Sequence, residues 1–353
     1  MQHRGQCPAQ LGFRVAAEWE EQEATWLAWP NEEGDWPGKF EPIPWVYGEV
    51  VRHLARVEKV RILVRDAVVE QCARVVLDKC HVEMHNVEFL QVATDRSWTR
   101  DYCPMFLRNA RGERAILNWR FNGWAKYENS TFDDAVTEVL APQLGIPMWT
   151  PEWNSKRVVL EGGSIDVNGA GLILTTEECL LSAVQARNPG FTRDDIEQVF
   201  ANYLAAPRTL WLKNGIAGDD THGHIDDLAR FTDSRTIAIA TEQDASDPNY
   251  EPLKENFALL REMRDQRGES LRIETLPMPE PVFFGGQRLP ASYANFYVAN
   301  RVVLVPTFND PNDRVALNKL TELFPNRQII GIGARDLVLG LGTLHCMTQQ
   351  QPA

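Results

Sequence analysis

The sequence predicts an α/β protein of repeated ββα-like units, closed radially into a propeller-like single domain over residues 1–353. Three observations carry this expectation. Strand-like pairs flank polar turns at nearly even intervals, helix-period stretches follow the pairs, and no Ser-, Gly- or Pro-rich linker interrupts the chain.

The strand pairs appear in order. Residues 104–121 flank Asn109-Ala110-Arg111-Gly112 and residues 163–175 flank Asn168-Gly169, residue types that build tight turns. Residues 228–240 turn at Thr232-Asp233-Ser234, and residues 296–306 at Ala299-Asn300. Asn109, Asn168, Asp233 and Asn300 differ in position by 59, 65 and 67 residues, which sets the length of the repeating unit. Apolar residues at 3.6-residue spacing predict helices over 131–144, 194–206, 249–264 and 311–324. A fifth unit fits upstream, with helices at 46–57 and 67–77 around a strand at 60–64. The competing expectation is an irregular α/β protein whose turn spacing is accidental.

Composition narrows the function. With 44% hydrophobic and 24% charged residues the chain has the make-up of a soluble globular protein. A formal charge of -13 repels phosphate backbones and anionic lipid, so no nucleic acid or membrane partner is expected. Residues 1–7 carry no apolar leader, and no apolar run approaches the roughly 20 residues of a membrane span, so the expectation is a cytoplasmic protein. Its six cysteines lack CxxC spacing and read as reduced thiols.

Five segments combine glycine, tryptophan and ionisable residues where strands should end. They are Trp98-Thr99-Arg100-Asp101, Glu161-Gly162-Gly163-Ser164, His222-Gly223-His224-Ile225-Asp226, residues 290–295, and residues 340–346. Cys346 follows two glycines expected to turn the backbone, and Thr348-Gln349-Gln350 after it argues for an approachable thiol, a candidate nucleophile. An inert buried thiol is the alternative. Cys179, followed by two leucines, is a rival nucleophile but reads as buried. His224 and Asp226 stand two apart, so an extended backbone points both to one side, where a proton shuttle and a cation ligand can act together. Asp101 offers a second carboxylate and Trp98 a flat face for a guanidinium, unless Arg100 simply pairs with Asp101. Glu161 can orient a histidine, or sit solvated in a turn. His222, His224 and Asp226 also match an HxHxD zinc pattern, which the absence of further ligand pairs disfavours, so no metal is expected.

Together, in their shared order, these segments resemble the agmatine deiminase and bacterial peptidyl-arginine deiminase family of the guanidine-modifying superfamily. The resemblance begins at residues 13–20 and 25–30, runs through residues 175–181, and ends in Leu344-His345-Cys346-Met347-Thr348-Gln349-Gln350. It implies a five-bladed pseudo-symmetric α/β propeller of the pentein type. It also implies Cys346 as nucleophile, His224 as proton shuttle, Asp226 and Asp101 as guanidinium ligands, and Glu161 as support for the histidine. No cofactor is implied, and a homodimer is a family-level expectation.

Two departures bear on substrate: His222 stands where members often carry an acidic or amide residue, and Gly34-Asp35-Trp36-Pro37-Gly38-Lys39 replaces the Asp-Asn-Trp-Arg stretch of agmatine-specific members. The partner expected is a small cationic guanidine, agmatine ahead of free arginine or peptidyl-arginine. Amidino transfer, a non-catalytic polyamine- or arginine-binding protein and a cysteine protease are the rival readings. Since like charges disfavour an anion, clustered carboxylates should oppose ionisation of Cys346 and a bound cation should favour it.

Overall fold

A computed structural model describes residues 6–353; residues 1–5, most of the segment read for a leader, lie outside the described residues. Among the described residues no helix is long and apolar enough to cross a membrane. The architecture is mixed α/β, and one unit recurs through it. Two antiparallel strands are followed by a helix and by a third strand parallel to the second.

The strands Met105–Arg108, Arg114–Leu117 and Met148–Trp149 form the first such set, with the helix Thr131–Leu144 between the last two. Asp166–Val167, Leu172–Thr176 and Arg208–Leu212 repeat it around the helix Arg193–Leu204. Ala229–Phe231, Thr236–Thr241 and Arg272–Pro277 repeat it around Tyr250–Glu262. Tyr297–Val298, Val302–Thr307 and Gln328–Gly333 do so around Pro311–Leu323. The remaining unit joins the two ends of the chain. Gln349–Pro352 pairs antiparallel with Gln22–Ala28, which pairs in parallel with Lys59–Val64 after the helix Ile43–Leu54. A further helix, Ala67–Lys79, and a strand, Val87–Gln91, extend that sheet.

Local chemistry explains the recurrence. The side-chain oxygen of Asn109 accepts from the backbone N–H groups of Arg111 and Glu113, at 2.9 and 3.0 Å. Asn168 does the same for Ala170 and Leu172, and Asp233 for Arg235 and Thr236. Each Asx side chain thus satisfies backbone donors that the turn strips from the ladder. Asn300 differs: it bonds the Gln22 backbone in both directions and donates its own N–H to Glu58, tying its turn to the neighbouring unit. Helix starts are equally local, with Thr192 and Asp310 each closing a capping box. The second strands, Leu172–Thr176 and Val302–Thr307 among them, are buried along nearly their whole length because helices and neighbouring units cover both faces.

Candidate active site

Each chemically loaded segment stands immediately before the first strand of its unit. The short helix Thr99–Tyr102, which carries Asp101, precedes Met105–Arg108. The 3-10 turn Gly162–Ser164 after Glu161 precedes Asp166–Val167, and the turn Ile225–Asp227 after His224 precedes Ala229–Phe231. Asn295 leads into Tyr297–Val298, and Cys346 into Gln349–Pro352. Equivalent positions in five units therefore deliver side chains to one place.

There Cys346 Sγ lies 3.7 Å from Asp226 Oδ2 and 3.1 Å from Asn295 Nδ2. His224 Nδ1 is 3.9 Å from Asp226 Oδ1 and 4.0 Å from Asp101 Oδ1, and its Nε2 is 4.0 Å from Glu161 Oε2. Asp101 is fixed by the Trp124 indole N–H at 2.8 Å and the Gly163 N–H at 2.9 Å. Gly163 is a packing requirement, because a Cβ there would stand 2.5 Å from His224 Nδ1 and 2.9 Å from Asp101 Oδ1. Three buried polar atoms at this point, His224 Nε2, Glu161 Oε2 and Asp226 Oδ1, have no hydrogen-bond partner among the described residues. Unpaired buried groups are costly and mark places where a ligand completes the bonding.

The charges act on one another strongly. Burial pushes the Cys346 thiol well above its ordinary range, and Asp226, Asp227 and Asp101 push it further. Burial also lifts Asp101 to about 6, with His224 pulling it down and Asp226 and Glu161 pushing it up. Burial alone would discharge His224, but Asp101, Cys179 and Asp226 outweigh it and raise the imidazole well above its usual value. Asp226 is held low against its burial, chiefly by the hydrogen bond from His345, whereas burial and Asp226 raise its neighbour Asp227. The centre is a neutral thiol, a charged imidazole and a set of carboxylates with unfilled positions.

The profile of the Porphyromonas-type peptidyl-arginine deiminases matches residues 14–352. The chain belongs to this family. An agmatine deiminase of Pseudomonas syringae pv. tomato is 34% identical over 366 residues, covering 98% of this chain and 97% of that protein. A solved agmatine deiminase of Enterococcus faecalis superposes with a TM-score of 0.91 at 30% identity, covering 99% of both chains. A cysteine-to-serine variant of a C. jejuni agmatine deiminase, solved with substrate bound, gives 0.85 at 31% identity, covering 97% of this chain and 96% of that one.

In this member of the deiminase family the six residues singled out from sequence, Cys346, His224, Glu161, Asp101, Asp226 and Trp98, come together, although several local readings change. Cys346 is 8% exposed, with Thr348 and Gln349 buried after it, so the polar run does not mark an open surface. Gln349 and Gln350 face Arg100, whose Nη1 donates to both, while the Thr348 hydroxyl donates to the Leu344 carbonyl at 2.8 Å. Arg100 consequently pairs with Glu18 at 3.2 Å and not with Asp101. Gly340 and Gly342 do not supply a left-handed turn; Leu341 between them takes the positive φ of 67°. They leave room for tryptophans, since a Cβ on Gly340 would stand 2.6 Å from Trp36 Nε1 and 2.7 Å from Trp98. His224 precedes a 3-10 turn and Asp226 lies within it, so the two are not on an extended strand. Glu161 is fully buried and binds Arg187 Nε at 3.0 Å, not a solvated turn. His222 turns to Ser182 at 3.2 Å and Glu178 at 3.7 Å, away from the joint site. Cys179 is buried as expected, but it sits against Glu161 and His224.

Several residues of this centre were not singled out. His345 bridges Asp226 Oδ2 at 2.6 Å and Glu18 Oε2 at 2.8 Å, and Arg230 binds both Glu18 and Asp166. Asn295 Oδ1 accepts from Thr343 Oγ1 and the His345 N–H, fixing the Cys346 loop. His345, Asn295 and Glu18 lie inside segments already marked, but nothing local distinguishes Arg187.

A cavity of about 260 Å³ opens onto Cys346 and Asp101, walled by Trp98 and Trp124. Asp35, Glu32, Arg96 and Asp220 also line it. The cations there are occupied: Arg96 binds Asp35 at 2.5 Å, and Lys126 pairs with Asp220, which also accepts from Tyr127 Oη at 2.7 Å.

Proposed function

We propose that this chain hydrolyses agmatine to N-carbamoylputrescine and ammonia through a covalent amidino-cysteine on Cys346. The observation that carries the reading is the convergence of Cys346, His224, Asp101, Asp226 and Glu161, with unfilled buried positions, at the base of one acidic cavity. Relatives that are agmatine deiminases, alike over nearly the full chain, support the substrate.

A guanidinium is planar with paired N–H donors, so Asp101 and Asp226 grip it and turn its central carbon toward Sγ. Its positive charge offsets the carboxylates that hold the thiol neutral, so as substrate binds the thiol releases its proton to water and the thiolate forms. Attack gives a tetrahedral adduct. His224, already protonated, gives its proton to the departing nitrogen, which leaves as ammonia. The neutral imidazole then takes a proton from water as its oxygen attacks the amidino carbon, and collapse of the adduct expels Sγ, which takes up the hydroxyl proton to restore the thiol and leave the ureido product. Glu161, held by Arg187, keeps the imidazole in place. No step needs a cofactor.

In the same proposal the five units ring a central axis as a five-bladed propeller, one domain acting in the cytoplasm. The pairing of Gln349–Pro352 with Gln22–Ala28 and the convergence of five equivalent loops support that arrangement.

The test is product analysis by mass spectrometry with agmatine, free arginine and arginyl peptides. Agmatine should yield the ureido product and ammonia; Cys346→Ser should abolish this with folding intact, and Cys179→Ser should retain most of it. Transfer of the amidine to an amine, a preference for arginyl peptides, or an inactive Cys179→Ser beside an active Cys346→Ser would each overturn its part of the assignment.

A further inference from the structure

We infer that Asp35 reads the end of the substrate remote from the guanidinium, as the carboxylate that binds a second, ammonium-type cation; this rests on the deiminase reading above. Besides Asp101, three carboxylates line the cavity, Glu32, Asp35 and Asp220, and Glu32 Oε1 caps its own turn by accepting from the Gly34 N–H at 3.2 Å. Both oxygens of Asp220 are already engaged, one by Lys126 and the other by the Tyr127 hydroxyl. Asp35 has only one oxygen engaged, by Arg96. Its side chain is 3% exposed, its Oδ1 accepts from Arg96 at 2.5 Å, and its Oδ2 is buried with no partner among the described residues. An acceptor left unpaired in a cavity wall is stable only where something else completes its bonding, and an ammonium does so after a small turn of the carboxylate.

Arg96 cannot take the complementary role of binding a substrate carboxylate. Its Nη1 is spent on Asp35 and its Nη2 on Asn129 at 3.0 Å, while its face covers the Tyr127 ring at 4.4 Å. No free fork remains for a bidentate anion. A carboxylate at this end would also face Asp35 and Glu32, both lining the cavity. Burial raises Asp35 to about 6 despite Arg96, so near neutral pH the carboxylate is charged and an arriving cation finds it under-compensated.

The position suits a chain-like substrate. Asp35 precedes Trp36, whose ring lies 5.4 Å from that of Trp98, and a Cβ on Gly342 would touch both Trp98 and Cys346 Cβ at 3.0 Å. Trp36 itself is buried behind Trp98. The faces that line the cavity are Trp98 and Trp124 beside Cys346 and Asp101, and Tyr127, whose ring lies 5.9 Å from that of Trp124 and 4.4 Å from the Arg96 guanidinium that binds Asp35. Methylene groups pack against these surfaces.

Agmatine and butylguanidine, which has the same four carbons but no ammonium, separate the tail from the guanidinium. Asp35→Asn should lower kcat/KM for agmatine by about ten- to a hundredfold, mainly through KM, while changing butylguanidine turnover by less than about threefold. Asp220→Asn should leave the agmatine preference nearly intact. The double variant Asp35→Asn with Arg96→Met, which removes the pair together, should show the same selectivity if the single variant folds poorly. Equal losses for both substrates in the double variant, or no loss for agmatine, would overturn the role of Asp35 while deimination stands. Absence of ureido product from either substrate with the unaltered protein would instead defeat the deiminase reading on which it rests.

Discussion

At Cys346 the charges that hold a guanidinium also oppose the thiolate that attacks it. Burial and Asp226, Asp227 and Asp101 keep the thiol protonated in the free protein. The ultraviolet absorbance of a thiolate present in the unaltered protein and missing from Cys346→Ser should therefore emerge only above pH 9.0. Because the folded thiol titrates above its unfolded value, its contribution to stability is complete below about pH 8.5 and is lost as pH rises further. Asp101→Asn and Asp226→Asn should move two readouts in opposite directions. Each removes a negative charge and brings the thiolate in at lower pH, yet each should cut kcat/KM about a hundredfold or more by loosening the grip on the substrate. Turnover that rose with thiolate formation would show that ionisation, not positioning, limits the reaction. These residues were legible because their types and order are local to short segments. Arg187 was not, nor was the pairing of Glu18 with His345, since a buried partner 26 residues from Glu161, or 327 from His345, leaves no local pattern.

Elements were legible where side chains answer their own backbone. The Asx turns at Asn109, Asn168 and Asp233 are closed within four residues, and the capped helices begin within a residue or so of their predicted starts. Pairings made across the chain were not legible: Arg14–Val15 joins the edge of a sheet built from residues 105–149, and the glutamine-rich Gln349–Pro352 has no strand-like composition. Asn168 shows how much a legible turn carries. Besides closing its own hairpin it donates from Nδ2 to the Ser234 carbonyl at 2.8 Å, linking its turn to that of the next unit. Asn168→Ala leaves the Ala170 and Leu172 N–H groups without that acceptor and the Ser234 carbonyl without that donor. The expected cost is about 1 to 3 kcal/mol, read as a lower urea midpoint at unchanged slope. An unchanged midpoint would mean that solvent replaces these bonds without loss.

For the whole molecule the decisive contact is the one that joins its ends. Gln349–Pro352 supplies the outer antiparallel strand that Gln22–Ala28 would otherwise lack, and it follows directly on the Cys346 loop. Its side chains also satisfy buried donors from elsewhere in the chain. Gln351 Oε1 accepts from Trp26 Nε1 at 2.9 Å and from Arg61 Nη1 at 2.5 Å, and Gln349 and Gln350 accept from Arg100. Deleting residues 349–353 retains every ionisable group assigned to catalysis but unpairs an inner strand and strips acceptors from two arginines and a tryptophan. At about 1 to 3 kcal/mol for each unpaired buried group, Tm should fall by about 5 °C or more. Turnover should be lost even below that Tm, because the loop holding Sγ 3.1 Å from Asn295 loses its anchor on one side. Removing Ala353 alone, which contributes one backbone bond to Glu21, should leave both properties near normal. A truncated protein that stayed as stable and as active as the full chain would show that the closing strand is dispensable and that the Cys346 loop is positioned by Asn295 and Thr343 alone.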